Sequence, residues 1–166
     1  MLAILLLFFG VLSRLWFHVP NFTPVLALAL FGGVYLSPRR ALLMPLVLMI
    51  ASDLLIGLHD TILFTWGSVV LISALGLYLR GRKSSKNIVL ASLASAVIFF
   101  VISNFGAWIM MYPKTWAGVA ECFWAAVPFF RWTLLSTLIY SVALFYGYEV
   151  LAERIAKTRF AKALLS

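Results

Sequence analysis

Asp53 stands among apolar residues, in the run Ser52-Asp53-Leu54-Leu55-Ile56-Gly57. An ionised carboxylate costs about 2.5 to 3.5 kcal/mol at the centre of a bilayer and less near its surface, so this one must face other helices and find a partner. Arg14, His18 and Arg131 are the candidate partners. The pair would either lock helices together or orient a ligand. Asn104 is followed at i+4 by Trp108, which sets an amide and an indole on one helical face. That combination suits a flat polar ligand, and equally suits hydrogen bonding between helices. His18 and His59, with Asp53, Asp60 or Glu121, are metal-ligand types, but no His-x-x-x-His spacing joins them, and no metal or other cofactor is expected. Ser52 lies in no nucleophile elbow, so an enzyme is not expected. Cys122 is the single cysteine, which excludes an internal disulfide and a multi-cysteine metal site.

The elements that must hold these groups are dictated by composition. Of 166 residues, 64% are hydrophobic and 11% charged, and a mean hydropathy of +1.08 lies far outside the range of water-soluble domains. No stretch is left over for a soluble module, so residues 1–166 form one transmembrane domain. The formal charge of +8 does not point to nucleic acid, because Lys and Arg fill short gaps between apolar runs rather than one face of a soluble fold.

A spanning helix takes about 20 apolar residues, or about 17 where the bilayer thins. Six segments approach that length, at 2–17, 23–36, 41–58, 61–79, 87–111 and 129–151. The first resembles a signal-peptide core but lacks a basic start and a cleavage site, and is expected to stay as a helix. The second follows Pro20 and Pro24, which predicts irregular backbone before it; such backbone is tolerated at membrane depth only against protein or a wet cavity. Residues 112–128 are too short to span twice and are expected to form an external interfacial or re-entrant helix before the last span. The stretch from Glu149 to Lys162 is expected to emerge as an amphipathic helix.

Basic residues in alternate gaps set the orientation, since Lys and Arg are retained on the cytoplasmic side. Arg39, Arg40, Arg80, Arg82, Lys83, Lys86, Arg154, Lys157, Arg159 and Lys162 fall on one side, and Arg14, Lys114 and Arg131 on the other. Ten against three places both chain ends inside, in an inner (plasma) membrane. The expected fold is therefore an all-α bundle of six transmembrane helices. Its unusual side chains then gather toward the external face: His18, Asn21, Thr23, Asp53, His59, Asn104, Trp108, Lys114, Glu121, Arg131 and Trp132 are the candidate substrate-binding residues. Tryptophans at that level also form the belt common to membrane proteins.

Five strings carry a resemblance: Pro20-Asn21-Phe22-Thr23-Pro24, Phe31-Gly32-Gly33, Ser52-Asp53-Leu54-Leu55-Ile56-Gly57, Ser103-Asn104-Phe105-Gly106 and Tyr112-Pro113-Lys114-Thr115. Through them the chain resembles an uncharacterised bacterial integral membrane family that is similar to the substrate-binding S components of energy-coupling factor (ECF) vitamin transporters. The resemblance implies capture of a vitamin-like small molecule at the outer face. It also implies a transmembrane coupling subunit and ATPases as partners, since this chain has no phosphate loop of its own. S components often carry an Ala-x-x-x-Ala docking face on the first helix, where this chain has Ala3, Gly10 and Ser13. The other expectation is a structural or assembly subunit with no ligand.

Overall fold

Apolar backbone away from water must satisfy its own N–H and C=O groups, and helices do so within one segment. The computed structural model describes residues 1–16 and 21–165, and among these the regular structure is all-helical. The elements are α1 (Leu2–Trp16), α2 (Val25–Tyr35), α3 (Pro38–Ile56), α4 (Ile62–Leu79), a 3-10 turn (Arg80–Arg82), α5 (Ser85–Met111), α6 (Trp116–Ala156) and α7 (Ala161–Leu165). The segments Ile62–Arg82, Ser85–Met111 and Trp116–Ala156 are each long and apolar enough to cross a membrane.

The centre of the bundle is α2. It is apolar all round, as a helix enclosed on every side must be, and each residue from 25 to 34 is buried. With 11 residues at 1.5 Å per residue it is about 16 Å long, roughly half the thickness of a bilayer's hydrocarbon core. The irregular backbone expected before it is present at residues 21–24. Asn21 there takes φ 59°, a left-handed conformation that Asn tolerates better than most residues.

The first two helices run antiparallel, whereas α2 and α4 run in the same direction. Gly10 abuts Leu28 while Leu7 lies near Gly32, so α1 descends against α2. At Gly33 and Gly76 the backbones of α2 and α4 touch: a Cβ on Gly76 would stand 2.8 Å from the Gly33 Cα and would also strike the Leu30 carbonyl. Small residues allow this approach, and in a bilayer such van der Waals packing is a main source of helix association. Near the same end Arg80 caps α2, its Nε donating to the Val34 carbonyl at 3.1 Å and its Nη2 to Gly33 at 2.9 Å and to Leu36. These carbonyls belong to the last turn of α2, where free acceptors and the negative end of the helix dipole favour a cation.

Beside that cap Lys83 bridges three elements. Its ammonium meets the Glu149 carboxylate of α6 at 2.5 Å and donates to the Tyr35 hydroxyl of α2 at 3.1 Å. The hydrogen bond to Glu149 raises the Lys83 pKa above its ordinary value of 10.5. Below this bridge Phe31, Tyr35, Phe145 and Tyr148 form an aromatic cluster, with Phe31 edge-on to Phe145 at 5.5 Å.

Several boundaries differ from the sequence expectation. α3 starts at Pro38 with Ser37 before it rather than at residue 41, because proline's missing N–H costs nothing at a first helical position. The separate external helix at 112–128 does not form as its own element. From Trp116 onward that stretch and the last span make one 41-residue helix, α6. Pro128 removes one ladder donor, yet the helix continues through it, as membrane helices with packed neighbours allow. At about 60 Å, α6 is roughly twice the thickness of the hydrocarbon core. At the other end α6 stops at Ala156, and the expected amphipathic stretch is divided into its last turns and the short α7.

Candidate functional site

A cavity of about 390 Å³ opens at the N-terminal end of α2, opposite the Arg80 cap. The halting of α2 short of this end leaves the space, and α3, α4, α5 and α6 wall it. Asn21, Thr23, Val25 and Leu26 line it from α2 and the backbone before it, and Met49 from α3. His59, Thr61 and Thr65 come from the start of α4 and the turn before it. Phe99, Phe100, Ser103, Asn104 and Ala107 come from α5, and Ala126, Phe129, Phe130, Thr133 and Ser136 from α6. Among the described residues this lining holds no Asp, Glu, Lys or Arg, and His59 is its one titratable side chain.

Hydrogen bonds inside the walls decide what the lining offers a guest. Asn104 Nδ2 donates to the Phe100 carbonyl at 2.7 Å. A carbonyl can only accept, so this bond turns the amide nitrogen to the helix and leaves Oδ1 as an acceptor. The hydroxyls of Ser103 and Thr65 likewise donate to the carbonyls of Phe99 and Thr61 at 2.7 and 3.2 Å. Their donors are used within their own helices while oxygen lone pairs remain. His59 Nδ1 pairs with Thr61 Oγ1 at 3.0 Å, which leaves Nε2 for a guest. Ser136 donates to the Asn21 carbonyl at 3.3 Å and so ties the irregular segment before α2 to α6. On the α2 side the first ladder bond runs from Leu28 N to the Pro24 carbonyl, so the N–H groups of Val25 and Leu26 precede the ladder. Phe100 packs on Phe130 at 4.7 Å and edge-on to Phe123 at 5.7 Å, giving one wall flat aromatic surface.

Four expected site residues, Asn21, Thr23, His59 and Asn104, therefore line one cavity. Asp53 is 1% exposed and outside the lining, and accepts from the Trp66 indole at 2.9 Å. Trp108 and Lys114 serve the corner between α5 and α6. The Trp108 indole donates to the Pro113 carbonyl at 3.0 Å, and the Lys114 ammonium donates to the carbonyls of Trp108 at 3.0 Å and Tyr112 at 2.9 Å and to that of Ile109. Gly118 completes the corner, because a Cβ there would strike the Pro113 carbonyl. Arg131 lies 5.2 Å over the Trp132 ring; these two, like Glu121, are exposed on α6 away from the lining. His18 and the Arg14 side chain lie outside the described residues.

Sequence reasoning missed Thr61, Thr65, Ser103, Thr133 and Ser136. Their signal was present as hydroxyls three or four residues apart on a helix face, at 61 and 65 and at 133 and 136. Comparison with curated proteins and with solved structures finds no match. A protein-family model matches residues 1–161, and the chain accordingly belongs to DUF6580, a family of unknown function.

Proposed function

We propose that this chain is the membrane-embedded substrate-capture component of an uptake system for a vitamin-like small molecule, similar to the S components of energy-coupling factor transporters. It would lie in the inner membrane as six spans with both ends in the cytoplasm, and the cavity would open outward. The cavity above the N-terminus of α2 is the observation that carries this reading. Its volume of about 390 Å³ lies within the roughly 300 to 1,000 Å³ typical of ligand pockets. It combines flat aromatic surface with a few fixed polar groups, as ligand sites do. The positive-inside count supports the orientation, because all ten cations of the richer set fall at the Arg80 end or beyond it.

Among the described residues the lining carries no Asp, Glu, Lys or Arg, which favours an uncharged molecule with a flat ring. N–H donors on the ligand would meet Asn104 Oδ1 and the hydroxyl oxygens, and an acceptor would meet the start of α2. Movement across the membrane would require a separate coupling subunit and ATPases.

The test is a melt of the detergent-purified chain against a panel of vitamin-like heterocycles of different charge. An uncharged, donor-bearing compound should stabilise the protein by about 2.7 kcal/mol at a hundredfold excess over its Kd. A panel without a single shift, with one membrane complex recovered at each purification, would overturn capture in favour of an assembly subunit.

A further inference from the structure

A second depression, of about 310 Å³, lies between α4 and α5 near the Arg80 end. Its walls are Leu75 and Leu79 of α4 and Leu90 of α5, and Ala91 and Ala94 keep the space between them open. It is a groove on the outer surface of the bundle: Tyr78 and Leu90 beside it are 63% and 52% exposed. The groove is ordered along its length. Hydrocarbon side chains line it up to Leu79, where the apolar run of α4 ends, with Tyr78 beside them, and Arg82 and Asn87 stand beyond.

Arg82 is held in place at that end. Its guanidinium lies 4.3 Å over the Tyr78 ring, and the Asn87 amide fixes its backbone by donating to the Arg82 carbonyl at 2.6 Å. Of the guanidinium's five N–H donors, one reaches the Tyr78 carbonyl at a long 3.4 Å. The planar fork suits two phosphate oxygens at once. Lys86 adds positive charge nearby in sequence, whereas Lys83 is committed to Glu149.

We infer that this groove is a binding site for an anionic phospholipid, with an acyl chain laid over Ala91 and Ala94 and the phosphate held by Arg82. Charge complementarity and the apolar-to-basic order of the groove select that occupant over a neutral lipid or a protein helix. General attraction of anionic lipid to a basic membrane face would not distinguish one cation from another, whereas this site makes Arg82 and Ala94 special.

The experiment is native mass spectrometry of the full chain from detergent micelles doped with phosphatidylglycerol or phosphatidylcholine, and separately with inorganic phosphate. Wild type should retain phosphatidylglycerol at least several-fold more than phosphatidylcholine and should not retain phosphate alone. Arg82→Gln should abolish the preference, Ala94→Leu should lose the lipid although every charge remains, and Arg154→Gln should behave as wild type. A melt without lipid checks that each variant is folded, and Ala94→Leu and Arg82→Gln are independent of one another in this respect. Equal retention of the two lipids, equal loss with Arg154→Gln, retention of free phosphate in place of lipid, or a second copy of the chain displaced by Ala94→Leu with lipid unchanged would each overturn the assignment.

Discussion

The Trp66 indole nitrogen donates to the Asp53 carboxylate at 2.9 Å, joining α3 to α4 beside the cavity rather than within it. Asp53 is 1% exposed, so each hydrogen bond to its carboxylate replaces solvation that water no longer gives. Trp66→Phe removes the donor and keeps most of the ring. It should destabilise the protein by about 1 to 3 kcal/mol, read as a fall of several degrees in the Tm of the purified chain. Trp116→Phe, at a ring that is 90% exposed, should leave the Tm in place. Equal melts for both variants would show that the Trp66 bond holds nothing together.

The crossing of α2 and α4 at Gly33 and Gly76 makes a second prediction. A Cβ at Gly33 would stand 2.5 Å from the Gly76 Cα and would press on the Ser73 carbonyl, and neither is a flexible side chain that can swing aside. Gly33→Ala should therefore cost about 1 to 3 kcal/mol through forced separation of the helices. Gly67→Ala is the control, since a Cβ there meets nothing within 4 Å, and replacing a helical Gly by Ala ordinarily favours the helix. The melts of the two variants should move in opposite directions.

The all-helical class and the long apolar helices could be read from the sequence because apolar runs bounded by charge or proline have few ways to satisfy their backbone. The basic residues of alternate gaps also fall where the helix ends do. The join at Pro128 could not be read that way: proline marks a break in water, but packed neighbours let α6 run on through it. One partner of Asp53 was equally hidden, since Trp66 is set opposite it by the packing of α3 on α4 and by no spacing along the chain, while the expected partners His18 and the Arg14 side chain lie outside the described residues. Asn104 was recognisable as an amide in an apolar run. Thr65 and Thr133 were not, because a hydroxyl inside a helix commonly satisfies itself on a carbonyl one turn back, and only the fold shows that both also line the cavity with Asn104.

The bridge at the far end is sensitive to pH. Lys83 gains a carboxylate partner on folding, so its pKa in the folded chain is raised above 10.5. The sign follows: the bridge contributes in full below the ordinary lysine pKa and is lost as pH rises through the higher folded value. Lys83 and Glu149 are both partly exposed to solvent, which keeps the contribution small and dependent on salt. The Tm difference between wild type and Lys83→Met should be constant from neutral pH to about pH 9, and should shrink once pH exceeds about 10.5. A difference that grows over the alkaline range would contradict the bridge.

Asn104 and Lys114 separate recognition from architecture. Asn104 lines the cavity with its Oδ1 outside the bond to Phe100, while the Lys114 ammonium is spent on three carbonyls at the end of α5. Asn104→Leu keeps the volume and removes the acceptor, so the stability without ligand should change by about 1 kcal/mol or less, and the stabilisation by a compound found in the panel should disappear. Lys114→Met should do the reverse: the corner loses its cap and the Tm falls, while the ligand-induced shift survives. The pair is informative because a general loss of folding would remove both properties together. If Asn104→Leu kept the full ligand shift and Lys114→Met abolished it, recognition would belong to the α5–α6 corner and not to the cavity above α2.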